Sequence, residues 1–208
     1  MTAFIRRRDE LGIGRRGRLL KVVGSDEDTF EIKEVVEGPG PCSQESCQVI
    51  RDRAFYLTME DGVWVWDASG AKCVSEGDVQ AWFTTDDYFN RSRFPNAKSR
   101  LNPNGTTYDL CLATVGSERE DTWVSFHIKE QKWLGPHLTD AFAEIASAGQ
   151  VADENVLKYP LFGDSEGYLW RENPTLVDDD GEAIVVDMIG KHHGDGVAAK
   201  RNWLQPTV

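Results

Sequence analysis

Hydrophobic and polar positions alternate with a period of two over much of the chain, most clearly between residues 107 and 134. There Tyr108, Leu110 and Leu112 alternate with Asp109, Cys111 and Ala113. A polar stretch at 116–121 turns the chain, and Trp123, Val124, Phe126 and Ile128 form a second apolar run. Residues 129–132 turn it again, and Trp133 and Leu134 begin a third. Alternation of this period, interrupted by polar turns every several residues, predicts an antiparallel meander. Aromatic residues at both parities place that sheet between neighbours.

The same grammar extends outward. Strands are predicted at 19–23 and 29–33, joined by the turn 24–28. After a Gly/Pro break at 37–41, further strands are predicted at 54–58, 63–66 and 71–74, the first two joined by a turn containing Asp61-Gly62. Residues 78–83 suit one or two helical turns with Asp78 as N-cap, and the turn-rich stretch 90–105 reads as loop. Residues 140–147 suit a short helix or an outer strand. Strands follow at 159–162, 168–170 and 182–189, the last being the longest alternating run, with turns at 163–167 and 177–181. A loop at 191–196 leads to a final strand within 199–208. Residues 1–18, basic and punctuated by Gly12, Gly14 and Gly17, read as an extended N-terminal arm, with one domain over 19–208.

Phe55, Tyr108 and Leu161 begin comparable strands and lie 53 residues apart. Each is followed by a polar, Gly-bearing turn and a strand containing Trp66, Trp123 or Trp170; the 19–33 hairpin is a degenerate fourth copy. A unit of about 50 residues built from short antiparallel strands predicts an all-β, β-propeller-like fold of about four blades, forming a closed or an incomplete ring. A β-sandwich is the alternative.

Charge divides the chain. The formal net charge is -12, yet residues 1–21 carry a net +5 and the remainder a net -17. The acidic body disfavours general nucleic-acid binding. The basic head, with Arg6, Arg7, Arg8, Arg15, Arg16 and Arg18, suits DNA, RNA or an acidic partner surface, or neutralises part of its own body. With 208 residues and 23.3 kDa the chain suits one substantial domain or two small ones. No apolar run approaches the roughly 20 residues that span a bilayer, and no secretory leader is evident, so synthesis in the cytoplasm is expected. Cys42, Cys47, Cys73 and Cys111 are expected as reduced thiols, and their spacing does not form a zinc motif.

Candidate chemistry is sparse. His192 and His193 with Asp195 could approach a metal, but their Gly-rich setting reads as an exposed loop. Asp178, Asp179 and Asp180 lack the ligand alternation of a calcium loop. Gly12, Gly14 and Gly17 match G-x-G-x-x-G without the strand–helix context of a dinucleotide site. No G-x-S-x-G nucleophile elbow occurs. No catalytic, cofactor-binding or metal-binding residue is assigned, and a non-enzymatic role is expected. Trp64, Trp66, Trp82, Phe83, Tyr88, Phe89 and Phe94 suit either a core or a partner surface. Trp82, Phe83, Tyr88 and Phe89, nearest the predicted loops, are the surface candidates.

The sequence of a hydrophobic strand, Asp61-Gly62, Val63-Trp-Val-Trp66, then Asp67-x-x-Gly70, resembles the β-propeller proteins of tailed-bacteriophage tails. So do Trp123-Val-Ser-Phe126 and Gly163-Asp-Ser-Glu-Gly-Tyr-Leu-Trp170. The resemblance covers about residues 40 to 205, and members of that group are generally longer than this chain. It implies a structural virion protein of a tail or neck, of the nozzle, hub or DNA-stabilisation type, forming part of a ring around the DNA path. Its expected partners are copies of itself and other virion tail or neck proteins, with non-specific contact with packaged DNA across an acidic lumen, and no membrane insertion. The alternative expectation is a glycan-binding propeller for attachment to a host surface, its aromatic residues stacking on sugars.

Overall fold

The computed structural model describes residues 3–171, apart from 9, 16, 27, 36–38, 78, 103–104, 139–143 and 153–156, together with 178–179 and 182–183. The chain divides into two compact units, Met1–Asn173 and Pro174–Val208. The first is all-β and consists of four consecutive antiparallel sheets, each a simple meander in chain order.

The first sheet contains β1 (Ala3–Arg7), β2 (Glu10–Arg15), β3 (Arg18–Val23) and β4 (Glu31–Glu34). The second contains β5 (Gln48–Ile50), β6 (Arg53–Leu57), β7 (Val63–Asp67) and β8 (Gly70–Cys73). A short helix α1 (Gln80–Thr84) and a 3-10 turn (Arg91–Asn96) lead to the third sheet. That sheet contains β9 (Lys98–Leu101), β10 (Thr107–Leu112), β11 (Thr122–His127) and β12 (Lys132–Leu138). The fourth contains β13 (Ser147–Ala152), β14 (Lys158–Gly163) and β15 (Leu169–Arg171). In the second unit, β16 (Asp178–Asp179) pairs with β17 (Glu182–Ala183).

Three expectations are corrected. Residues 1–18 are not an extended arm: β1 and β2 pair from Ala3↔Gly14 to Arg7↔Glu10, and β2 pairs with β3. The stretch 90–105 is not simply loop, because it holds the 3-10 turn and β9. The helix near 80 has Val79 at its N-cap with no side-chain cap, and Asp78 lies outside the described residues. The expected long strand at 182–189 is described only at Glu182–Ala183. Most of 140–147, along with 191–196 and 199–208, lies outside the described residues.

The sheets stack because their central strands are apolar on both faces. On β6, Ala54 and Tyr56 join Ile5, Leu19 and Trp66 in a core between the first and second sheets. Phe55 and Leu57, of opposite parity, join Tyr108, Leu110, Leu112, Val124 and Phe126 between the second and third. Phe55 stacks on Tyr108 with ring centroids 5.4 Å apart, and Tyr108 Oη donates to the Ser46 carbonyl at 2.7 Å. Full burial of each such side chain stabilises by about 1.5–3 kcal/mol. The 53-residue spacing therefore finds the right strand in each sheet but alternates its face. Phe55 points to the third sheet, whereas Tyr108 points back to the second, because the spacing fixes the strand but not its phase, which the intervening turns reset.

The seam between the third and fourth sheets has a smaller apolar core. Cys111, Ile145 and Phe162 form its small apolar core, with Trp123, Ala148 and Trp170 at the margin. Beside it Arg100 Nε donates to Asp109 Oδ2 at 3.1 Å, both side chains being almost fully buried. The Arg100 guanidinium lies 3.8 Å from the Phe162 ring centroid, a cation–π contact across the seam.

The sheets also meet through their first strands: β1 contacts β5, β5 contacts β9, and β9 contacts β13. Hydrogen bonds stitch this succession. The Gln44 amide accepts from the Phe4 backbone N–H at 2.7 Å and donates to the Phe4 carbonyl at 3.1 Å. Gln48 Nε2 donates to the Ser99 carbonyl at 3.1 Å, and Ser99 Oγ donates to the Glu45 carbonyl at 2.7 Å. At the opposite edge of the third sheet, Pro136 within β12 removes a donor, which discourages further strand pairing there.

Close approach of the first two sheets depends on Gly12. A Cβ there would lie 2.7 Å from Trp66 Cζ3 and 3.3 Å from the Ile5 carbonyl oxygen. Gly12→Ala should therefore destabilise the protein by about 1–3 kcal/mol through overpacking. Urea unfolding of the variant beside the parent checks this, and an unchanged midpoint would contradict it.

Candidate interaction surfaces

The register of the first sheet sorts its residues into two faces. Ala3, Ile5, Arg7 and Leu19 face the second sheet and are buried. The opposite face carries the row Phe4–Ile13–Leu20–Glu34 and, one step along, Arg6–Leu11–Val22–Ile32. By the same parity Arg15 and Arg18, a cross-strand pair, belong to it. Phe4, Leu11 and Ile32 are exposed there, Ile32 at 64 %. This is an apolar strip rimmed by Arg6, Arg15 and Arg18, all exposed.

The basic head is thus two objects rather than one. Arg7 is buried over the Trp66 ring, 4.8 Å from its centroid, and pairs with Glu10 and with Asp52. Arg8, at φ 46°, reaches Asp52 Oδ1 with Nε at 3.1 Å. Lys21 Nζ pairs with Glu10 Oε1 at 3.1 Å. These cations neutralise the chain's own carboxylates. Arg6, Arg15 and Arg18 instead project from the open face, and Arg16 lies outside the described residues.

The aromatic surface set is divided too. Phe83 and Phe89 are core residues, 0 % and 1 % exposed, correcting their assignment to the surface. They pack on each other at 5.8 Å, and Phe83 packs on Trp133 at 5.5 Å, closing one end of the core between the second and third sheets. Both rings turn inward and join the core cluster of Phe55, Leu57 and Leu110. Trp82 is half-buried and Tyr88 is 50 % exposed, their ring centroids 6.0 Å apart. Of the wider set, Trp66 and Phe94 are buried and Trp64 is half-buried.

Among the described residues the fourth sheet has an uncovered face as well. Ala148, Phe162 and Trp170 face the third sheet. The opposite parity carries Val151, Tyr159, Leu161, Leu169 and Arg171, Leu169 being 73 % exposed and the Arg171 guanidinium lying 4.8 Å from the Tyr159 ring centroid. The adjoining turn holds Asp164 and Glu166. Hydrogen bonds to Asp164, first from Trp170 Nε1 at 2.7 Å and then from backbone N–H groups of Tyr168 and Glu166, hold its carboxyl below the usual range and keep it ionised.

Sequence reasoning missed both open faces. Leu11 and Ile13 do alternate with Gly12 and Gly14, a strand signal that the surrounding arginines and glycines obscured. A strand, β3, follows these glycines where a dinucleotide loop would have a helix.

The chemistry-bearing groups elsewhere are occupied or buried. Burial pushes the Cys42, Cys47 and Cys111 thiols up to about 12, the state of unreactive core cysteines. Among the described residues no group of three or more His, Cys, Asp or Glu is placed to hold a metal ion. His192, His193, Asp180 and Asp195 lie outside the described residues. Among the described residues no helix is long and apolar enough to cross a membrane.

No protein-family model matches the chain, and no curated protein matches it in sequence.

The Arg7–Glu10–Lys21 cluster has a pH signature. Desolvation alone would raise the Glu10 carboxyl, but the Lys21 hydrogen bond and the Arg7 and Lys21 charges outweigh it, so the group sits below 4.5. A depressed carboxyl stabilises above its unfolded value, and that contribution is lost as pH falls through the lower folded value. Stability should therefore drop on acidification below about pH 4.5, and Glu10→Gln should flatten the curve there. Thermal unfolding between pH 6 and pH 3 measures it.

Proposed function

We propose that this chain is a non-enzymatic building part of a tailed-phage tail or neck. In this reading its four sheets are blades of a partial β-propeller contributing to a ring around the DNA path. The observation that carries the proposal is the unequal covering of the sheets. Among the described residues the two inner sheets are covered on both faces, while the first and fourth each keep one face uncovered with apolar residues on it. Consecutive contact through first strands, β1 to β5 to β9 to β13, is also how the inner strands of neighbouring blades meet. The resemblance of the Trp66 and Trp170 hairpins to phage tail propellers supplies the setting.

The expected acidic lumen is revised. The strands that meet carry Arg6, Arg7, Lys98 and Arg100, and β1, β5, β9 and β13 contain no acidic residue. Arg7, Lys98 and Arg100 are paired with Asp52, Glu120 and Asp109. A DNA path along these strands would be near-neutral to basic, so passage by charge repulsion is not part of the proposal.

The second reading, attachment to a host glycan, rests on Tyr88, whose exposed ring packs against Trp82 and could stack on a sugar. Titration with a glycan library followed by Trp fluorescence would reveal it. The first reading is tested by imaging and mass spectrometry of purified phage particles. The chain is expected in the tail or neck density, and its absence from intact particles overturns the proposal.

A further inference from the structure

Two neighbouring hairpin turns carry arginine at a position that suits a different residue. β1 and β2 are joined through Arg8 and Asp9, and β5 and β6 through Arg51 and Asp52. Arg8 has φ 46°, Arg51 φ 49° and Asp52 φ 77°. Two-residue hairpin turns with positive φ default to Asn, Asp or Gly, because that region crowds longer side chains. Among the described residues Gln131 is the one other non-glycine residue with a positive φ. Strained positions of this kind cluster where a protein holds a ligand.

The turns are fixed beside each other. Arg7 Nη1 donates to the Asp52 carbonyl at 3.4 Å, and Arg8 Nε lies 3.1 Å from Asp52 Oδ1. Arg7 and Lys21 pair with Glu10. Glu10 and Asp52 are thus matched from within, and Asp9 lies outside the described residues. Asp67 stands near Arg53, but it accepts from the Ser69 N–H and Oγ, and Lys72 offsets its charge.

Four arginines form a row across this end of the stack. Arg6 has the parity of Phe4 and stands on the outer face of the first sheet. Arg8 marks the seam with the second sheet and Arg51 the next turn; Arg53, with the parity of Phe55, lies toward the third sheet. Arg6, Arg51 and Arg53 are exposed and have no side-chain ion pair or hydrogen bond among the described residues. The Arg8 side chain is 75 % exposed, with its Nε alone engaged. Packed sheets lie about 10 Å apart, so the row runs for roughly 20 Å.

We propose that this row binds the phosphodiester backbone of a nucleic acid. A line of separated guanidinium forks suits a repeating anion, whereas a single carboxylate would need them to converge. A duplex also releases condensed counterions when its phosphates are neutralised, a gain that a sparser acidic peptide lacks. The acidic body confines the contact to this edge and keeps it weak and independent of sequence. The inference goes beyond the building-part reading, because it needs only the two turns and holds inside or outside a phage particle.

Fluorescence anisotropy with labelled duplex DNA, single-stranded DNA and RNA of mixed sequence tests it, and the tightest of the three identifies the source. For the duplex, the logarithm of the association constant should fall against the logarithm of salt with a slope of about -3, the value for three phosphates. Arg51→Asn and Arg53→Gln should each reduce that slope by about 1 and weaken binding at low salt about three- to tenfold. Arg51→Asn carries a second readout. Asn accepts a positive φ, so the thermal midpoint should hold or rise while binding falls, which a merely structural arginine would not show. Arg119→Gln removes the same charge on the connection from β10 to β11 and should leave the affinity within about twofold.

A parent that leaves all three oligonucleotides unbound at about 100 μM protein and about 50 mM salt overturns the proposal. So does an Arg119→Gln effect as large as that of Arg51→Asn, or a polyglutamate of equal charge that binds as tightly as the duplex. Particles that contain the chain while the oligonucleotides stay unbound sink this inference and leave the building-part reading standing. Should the oligonucleotides bind while the chain is absent from particles, only the phage setting falls.

Discussion

A β-sheet with apolar side chains at both parities must be covered twice, and that requirement organises this molecule. Tyr56 and Trp66 leave one side of the second sheet, and Phe55, Leu57, Val63 and Val65 the other. Neither side tolerates water, so the sheet needs a neighbour before and behind. The third sheet carries the requirement onward through Leu110 and Leu112 on one face and Cys111 on the other. Serial stacking follows, with each meander forming one layer and order in space equal to order in sequence. Among the described residues the outer faces of the first and fourth sheets lack such a cover, and they carry the functional reading.

Electrostatics then distinguishes structural cations from available ones. On β1, Arg6 and Arg7 are neighbours with opposite fates, because successive side chains of a strand point to opposite faces. Arg7 turns inward, lies on Trp66 and is balanced by Glu10 and Asp52. Arg6 turns outward beside Leu11 and Val22. A net charge of +5 over the first 21 residues thus conceals a satisfied cluster and an unsatisfied rim. Asp52, Glu120 and Asp109 likewise balance Arg7, Lys98 and Arg100 on the strands that meet one another.

Much of the second and third sheets could be read from the sequence. Their strands alternate cleanly, and Asp61-Gly62 marks a turn in which Gly62 has φ +88°, leaving Ser75 Oγ room to approach. The first sheet could not be read so easily, because Gly12 and Gly14 remove the inward members of its alternation. They are there to admit Trp66 and Pro41, partners more than 20 residues distant that local pattern cannot reveal. β9 was hidden for a related reason: Lys98-Ser-Arg-Leu101 has no apolar alternation, and its burial depends on Arg100 finding Asp109 across β10. Phe83 and Phe89 sit in a polar, turn-rich stretch, and only the gap above Trp133 draws them inside.

The three junctions between sheets are not equally durable. The one between the second and third is broad and greasy, whereas the one between the third and fourth leans on a guanidinium held between Asp109 and the Phe162 ring. Water that reaches Arg100 can replace both of those contacts at little cost, but it cannot replace what Phe55 and Tyr108 gain from each other. Pulled or warmed, the stack would therefore part at its outer seams, where Arg7 lies on Trp66 and Arg100 on Phe162, before the central one gives way. The first and fourth sheets are then the leaves with the most freedom to adjust while the middle pair holds together.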